Sequence, residues 1–444
     1  EFIAEGMTME LISKLQPLNG LTVIASNSTM KFKESTLSPN EIGQQLNSGS
    51  LLRGTIQQGN EKLKVIVNLV DANSQEVKWS QSFDGVTKDI LKLQGDIAQS
   101  VARELQLVLS PNELAKVKKL TTENPEAYQE YLQGRIEWKK RSSQGFTNAV
   151  QHFEKAIELD PNFALAYSGL ADIYKVYPFW QLEAPSTSAP KAKKNAEKAR
   201  SLDPTLAEPW TTLAALEWDN YNWDKSEEFF KHAINLNKNY ATAWHWRGVL
   251  YLQKGFPELA VQFAMKSLEL DPLSPINYAG LAHFKMYSGS LKDTVSLYEK
   301  AYELSNNENI NFIPMIANVY LRMNQAEQGI QIINQHIEDF TQNTRAMVIT
   351  ARCQAVMGKK NLAYEILNAL LHRKITKVKY ISEHFIADLY AELGDKEKAF
   401  YWMNQAIDNN APHCSLFNQK PMYDQWKNDP EYQALLKKVN LDKS

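Results

Sequence analysis

The chain has 444 residues, 43% of them apolar and 23% charged, so it can bury large cores, and its length suggests roughly two or three domains. Its 49 basic and 51 acidic residues leave a net charge of −2, which argues against a nucleic-acid-binding face spread over the whole molecule. Two cysteines, Cys353 and Cys414, cannot form a disulfide framework, no apolar run approaches the ~18 residues of a membrane span, and no stretch reads as a signal peptide.

Residues 1–109 mix helical and strand periods. Gly6–Leu15 spaces its apolar residues three and four apart, as a short helix does. Leu21–Ala25 reads as a compact buried strand. Ser38-Pro39-Asn40-Glu41 is a helix start, with Ser38 as N-cap, Pro39 first in the helix and Glu41 three residues on. Leu51–Gln57 and Leu63–Val70 are strands around a Gln58-Gly59-Asn60 turn, and Glu76–Phe83 is a third antiparallel strand. Leu91–Leu107 is a long amphipathic helix. Together these make a small α+β domain over 1–109, and 110–123 reads as a linker.

From 124 onward the strand signal is lost and a helix–turn–helix pattern repeats. Asp160-Pro161, Asp203-Pro204 and Asp271-Pro272 end three helices alike, and Pro204 to Pro272 is 68 residues, two periods of about 34. Between them Ile234-Asn235-Leu236-Asn237-Lys238 gives the same ending without its proline. Trp210, Leu213, Ala214, Phe230 and Ala233 recur as Trp244, Gly248, Tyr251 and Ala260, then as Tyr278, Leu281, Ala282, Tyr298 and Ala301. Earlier come Gly134, Ala149, Phe153 and Ala156, then Tyr167, Leu170, Ala171, Tyr174 and Ala199. These positions resemble the tetratricopeptide family closely. The resemblance implies a mostly α fold, an α-α superhelix of about seven or eight repeats over 124–420, preceded by the small α+β domain and closed by a capping segment at 421–444. The second repeat carries a long insert, 176–189, with Tyr177-Pro178-Phe179-Trp180, which either folds back over the groove or packs on its own repeat.

Phe2-Ile3-Ala4-Glu5-Gly6-Met7-Thr8-Met9-Glu10-Leu11-Ile12, with Val23-Ile24-Ala25, Glu41-Ile42-Gly43, Arg53-Gly54, Leu69-Val70-Asp71-Ala72, Trp79-Ser80 and Gln94-Gly95-Asp96-Ile97-Ala98, resembles the amino-terminal domain of TolB. That family opens with a strand that is missing here, and the chain starts on Glu1-Phe2 rather than Met, so we expect a piece of a longer protein. The pairing of the two domains resembles the C-terminal half of bacterial transcriptional regulators and adenylate cyclase-type signalling proteins. It implies a membrane-anchored or soluble parent; we expect the periplasmic part of an anchored regulator over a cytoplasmic one.

The sequence shows no Gly-rich phosphate loop, no dinucleotide fingerprint, no His-Glu-x-x-His pair, no zinc-spaced cysteines and no Gly-x-Ser-x-Gly elbow. We therefore expect no catalytic site, no metal, no cofactor and no direct nucleic-acid binding by this fragment. The repeat resemblance implies that first helices line the concave groove through their positions two, five, nine and twelve. Carried over, these are Asp172 and Lys175, Thr211 and Trp218, His245 and Val249, His283 and Met286, Asn311 and Asn318, Arg345 and Arg352, and His384 and Asp388. Polar groups among aromatics suit a protein or peptide partner, or a small-molecule ligand, in that groove, against the alternative of an ordinary solvated inner face. Trp218, His245 and His283 are expected to form one exposed edge. Trp210, Trp244, Tyr167 and Tyr278 are expected to pack between repeats, and Lys191, Lys193, Lys194, Lys198 and Arg200 to form a solvated face. The function expected is a sensor or interaction module of a signalling or transcription regulator. A structural scaffold of an envelope-associated complex is the alternative, and an enzyme with a cleft between domains is a third class.

Overall fold

The computed structural model describes residues 2–59, 62–86, 89–376 and 380–442. The α+β unit begins with α1 (Phe2–Leu15), α2 (Ser26–Thr29) and α3 (Pro39–Leu46). Strands β1 (Ser50–Gly59), β2 (Lys62–Asp71) and β3 (Val77–Val86) form an antiparallel sheet in that order, and α4 (Ile90–Glu104) and α5 (Pro111–Lys118) complete it. The period of two is plain on β2, where Leu63, Val65, Val67 and Leu69 are all buried. Leu63, Val65 and Val67 pack with Met7 and Leu11 of α1 and Ile97 and Val101 of α4 into one apolar layer. Ser38 caps α3 as expected, its hydroxyl accepting from the Glu41 N–H while the Glu41 carboxylate accepts from the Ser38 N–H at 2.8 Å.

Three readings of this region need correction or placing. Leu21–Ala25 is extended but joins no sheet. Its polar backbone is satisfied by the repeats: the Ala25 N–H donates to Leu270 O at 2.8 Å, and Asn239 Nδ2 donates to Leu21 O at 2.9 Å. The stretch 110–123, expected as a linker, holds α5, with a second capping box between Ser110 and Glu113 and a fully buried Val117. The expected turn at Gln58-Gly59-Asn60 falls partly on Asn60, outside the described residues.

Eight antiparallel helix pairs follow: α6 (Pro125–Lys139) with α7 (Ser143–Leu159), α8 (Ala164–Val176) with α9 (Pro185–Leu202), α10 (Ala207–Asp219) with α11 (Trp223–Leu236), α12 (Ala241–Gln253) with α13 (Pro257–Leu270), α14 (Pro275–Tyr287) with α15 (Leu291–Leu304), α16 (Phe312–Arg322) with α17 (Ala326–His336), α18 (Thr344–Val356) with α19 (Lys360–Ile375), and α20 (Glu383–Leu393) with α21 (Lys396–Asp408). Two 3-10 turns, Cys414–Gln419 and Pro421–Trp426, lead to α22 (Pro430–Lys438). Small residues set the helix spacing. A Cβ on Gly134 or Gly169 would sit 2.6 Å from the Phe153 ring, so that ring fills the space two side chains would otherwise occupy. The aromatic at the fourth place of α8, α10 and α12 also bonds back to the preceding loop. Tyr167 Oη donates to Pro161 O, Trp210 Nε1 to Pro204 O and Trp244 Nε1 to Lys238 O, each six residues back.

The insert is shorter than expected, because Pro185 is the first residue of α9 and the Ser/Pro-rich run is helical. The α+β unit sits along the loops between repeats: Asn239 also donates to Gln16 O at 2.7 Å, Asn27 and Ser28 donate to the Asp271 carboxylate, and Lys31 Nζ donates to Leu304 O. The Lys-rich run on α9 is held at the surface by Glu183 beside Lys191 and by the rings of Tyr167 and Trp210 under Lys198 and Arg200.

Candidate functional site

The first helices of the pairs supply one continuous concave wall, because side chains three and four apart share a helix face. Their facing side chains surround a partly enclosed chamber of about 340 Å³. That volume lies within the range of small-molecule sites, and its wall is mainly aromatic and aliphatic, with Trp218, Trp246, Val249, Phe284 and Tyr287 among its members.

Two segments close over the wall. After α8 the insert carries Phe179 across the groove, where its carbonyl accepts from Arg345 Nη2 at 2.7 Å and its ring meets His413 edge-on at 4.6 Å between centroids. Trp180, also on the chamber wall, packs edge-on against Phe146 of α7. The C-terminal segment then returns to the middle repeats. Tyr221 Oη lies 2.9 Å from Cys414 Sγ, Ser415 Oγ donates to Gln253, Gln419 Nε2 donates to Leu252 O, and Trp223 Nε1 donates to Val439 O. Lys420 Nζ pairs with the Asp388 carboxylate at 2.6 Å, and Tyr423 Oη donates to the same group. The segment expected only to cap the end of the superhelix thus belongs to a longer stretch that also fills part of its groove.

The electrostatics of the chamber are lopsided. Arg141, Lys175, Arg322, Arg345, Arg352 and Lys420 line it against a single carboxylate, Asp388. Lys175 is balanced by Asp219 at 3.0 Å and lies over the Trp218 ring, and Arg352 is balanced by Glu392 at 2.9 Å. Four imidazoles join them: His245, His283, His384 and His413. Burial lowers each, and neighbouring cations lower them further, holding His245 to about 4 and His283 and His384 to about 3. They are therefore neutral at pH 7.

Of the residues expected on the groove, Lys175, Trp218, His245, His283, Asn318, Arg345, Arg352, His384 and Asp388 line the chamber, as do Val249 and Asn311. Asp172 does not. It is buried, accepts from Thr212 Oγ1 at 2.5 Å, and burial pushes its carboxyl up to about 6. Thr211 is buried against its own helix, bonded to Ala207 O, and Met286 is buried beneath the wall. Trp218 is only 3% exposed, stacked on Phe230 and covered by Lys175, so the exposed edge expected of Trp218, His245 and His283 is not formed. Trp218 contributes to the wall from within the packing. Arg141, Arg322, His413 and Lys420 were not picked out by repeat position. Arg141 sits in a turn with φ of 49°, Arg322 ends α16, and the other two come from the returning segment.

Among the described residues no cluster of His, Cys, Asp or Glu could hold a metal ion, and no helix is long and apolar enough to cross a membrane. Ser382 Oγ lies 2.7 Å from His384 Nδ1, but both oxygens of Asp388 are engaged by Lys420 and Tyr423, so the three do not form a relay. Cys414 is 2% exposed and burial pushes its thiol up to about 12, so it is not an activated thiol in this fold. Cys353 is a core residue.

A family profile described as Tetratricopeptide repeat matches residues 241–272, the helix pair α12–α13. A protein of Rhizobium meliloti (strain 1021) called Putative adenylate cyclase 3 is 24% identical over 172 residues, 39% of this chain and 29% of that one. The Mitochondrial import receptor subunit TOM70 of Rattus norvegicus is 25% identical over 161 residues, 36% of this chain and 26% of that one. The chain thus spans less than a third of the length of these relatives. Among solved structures, the human IFIT1 dimer with m7Gppp-AAAA aligns at a TM-score of 0.48 with 14% identity, over 71% of this chain and 76% of that one.

Proposed function

We propose that this chain, a tetratricopeptide-repeat protein whose repeats form an α-superhelix, is a non-catalytic sensing and protein-interaction module of a signalling protein. The observation that carries the reading is the chamber: the concave wall is bridged by the insert at Phe179 and by the segment around His413 and Lys420. An extended peptide would have to displace both, whereas a compact ligand fits beneath them. Such a ligand would contact the bridging segments and the repeats together, so it would shift the population of closed and opened forms and change what the molecule presents to a protein partner. The likeness to a protein called a putative adenylate cyclase, over 39% of the chain, supports a signalling parent.

The test is a thermal-shift screen of the chain against small metabolites and short peptides, repeated with Val249→Phe, which reduces the chamber from α12 without altering its charges. A small-molecule hit that Val249→Phe abolishes supports the proposal. A screen whose hits are all peptides, or all indifferent to Val249→Phe, refutes it.

A further inference from the structure

We propose that the chamber selects a compact organic anion, with a phosphate, sulfonate or carboxylate group among Arg141, Arg322 and Arg345 and an apolar body against the aromatic wall. The inference rests on the reading above that the chamber takes a small ligand, and it adds the chemistry of that ligand.

Three observations converge. The first is the charge inventory. Three of the six lining cations have a carboxylate partner: Lys175 with Asp219, Arg352 with Glu392 and Lys420 with Asp388. The other three have none within ion-pair reach among the described residues. Arg322 donates to Met286 O and lies 4.3 Å over the Tyr287 ring, Arg345 donates to Phe179 O, and Arg141 stacks 3.8 Å over Trp138. Carbonyls and ring faces hold a guanidinium in place without cancelling its charge, so three positive charges face one partly enclosed, largely apolar space. Each guanidinium offers five N–H donors, and the bonds just named use few of them.

The second is a set of polar atoms with nothing to bond. His245 Nδ1, His283 Nε2 and His413 Nδ1 are buried and have no hydrogen-bond partner among the described residues, and all three residues line the chamber. Buried nitrogens of this kind are uncommon and costly, and a ligand oxygen or hydroxyl would satisfy them. Gly280 keeps His245 where it is: a Cβ there would fall 2.2 Å from the ring. The third is the wall itself. Trp218, Trp246, Phe284 and Tyr287 give an apolar body a surface of ring faces, and an anion alone would leave these uncovered. Burial first, and then Arg322, Arg345 and Lys420, lower the His283 imidazole, so two of the guanidiniums assigned to the anion also face this ring.

The experiment compares two probes with one anilinonaphthalene body: 8-anilinonaphthalene-1-sulfonate, an anion, and N-phenyl-1-naphthylamine, which has no charge. Each is titrated into the intact chain and followed by energy transfer from tryptophan, because Trp180, Trp218 and Trp246 line the chamber. The sulfonate should bind at least about tenfold more tightly than the neutral probe, and Arg345→Gln and Arg141→Gln should each weaken the sulfonate about tenfold while leaving the neutral probe within about twofold. Arg345 also fastens the insert, and a loosened insert would weaken both probes together, so Arg141→Gln carries the test if Arg345→Gln does not fold. Equal affinities for the two probes, or a sulfonate affinity untouched by Arg141→Gln, overturns the anion assignment and leaves the small-ligand reading standing. Absence of energy transfer with either probe overturns both.

Discussion

Replacing Lys420 by Met should release the C-terminal segment from the superhelix. Lys420 Nζ lies 2.6 Å from the Asp388 carboxylate, with the two side chains 10% and 7% exposed. The substitution keeps the apolar stem and removes the charge, leaving a carboxylate on α20 with little water around it. Removing one partner of a buried pair costs about 3–5 kcal/mol, and the lower end applies here because Tyr423 Oη still donates to the same group. About 3 kcal/mol is a factor of about 150 in an opening equilibrium. The assay is amide exchange of peptides covering 411–426, whose N–H groups at Cys414, Leu416, Lys420 and Tyr423 are all bonded within the segment. Protection should fall about a hundredfold, and Lys420→Met with Asp388→Leu should recover part of it, since an apolar pair replaces the ionic one while the Tyr423 hydroxyl loses its acceptor. The pH dependence has a fixed sign. Burial alone would raise the Asp388 carboxyl, but Lys420, His384 and Arg352 together hold it below its usual 3.8. Its contribution is therefore whole above that value and is lost as pH falls through the lower folded one. Unchanged protection in Lys420→Met, or a double variant as labile as the single one, would refute this account of how the segment is held.

Gly280→Ala should destabilise the chain by about 1–3 kcal/mol in urea unfolding, because its Cβ would overlap the His245 ring at 2.2 Å; an unchanged midpoint would show that the ring swings freely into the chamber. The Glu113 carboxyl is held down to about 2, first by Ser110 and then by Asn19, so its stabilising effect should be complete above pH 4.5 and vanish toward pH 2. Acid-unfolding curves of the parent and Glu113→Gln should therefore differ at neutral pH and converge near that value. Neither cysteine should react with iodoacetamide at pH 8 until the chain unfolds, since burial pushes both thiols up to about 12; rapid labelling of Cys414 in the native protein would contradict its seat beside Tyr221.

What local sequence encodes was readable, and what depends on accumulated curvature was not. Ser38-Pro39-Asn40-Glu41 announces a helix because its bonds close within four residues. Ser110-Pro111-Asn112-Glu113 carries the same four-residue type of signal, and passing it over cost the helix α5. Leu21–Ala25 misled because an apolar run says only that a segment is covered, and its cover lies about 220–250 residues further along, at Asn239 and Leu270. Repeat positions placed Lys175, His245, His283 and Arg345 on the inner wall, since helix periodicity fixes which face a residue occupies. The same rule put Asp172 there, but at that point the neighbouring first helix is close enough for Thr212 to take its carboxylate. His413 and Lys420 had no repeat position to be read from. They reach the chamber because eight pairs of this length bring the end of the chain back to its middle.

That return is also what makes the molecule suited to respond as a whole. Each helix pair contacts chiefly its neighbours, so a small rotation at every interface adds up along the array. In an open superhelix the sum would appear as free movement of the ends. Here the ends are fastened across the groove: Arg345 to Phe179 over 166 positions, Tyr221 to Cys414 over 193 and Trp223 to Val439 over 216. A rotation anywhere in the ring must therefore strain these contacts and the apolar core that the C-terminal segment shares with the middle repeats. On the proposed reading, an anion that draws the Arg345 guanidinium exchanges a hydrogen bond to a neutral carbonyl for an ion pair that can be bidentate. The Phe179 carbonyl would then be left to water and the insert released at that point. The response would thus emerge first at the insert, which Arg345 holds through one carbonyl, and would reach the C-terminal segment only as far as the core it shares with the middle repeats allows.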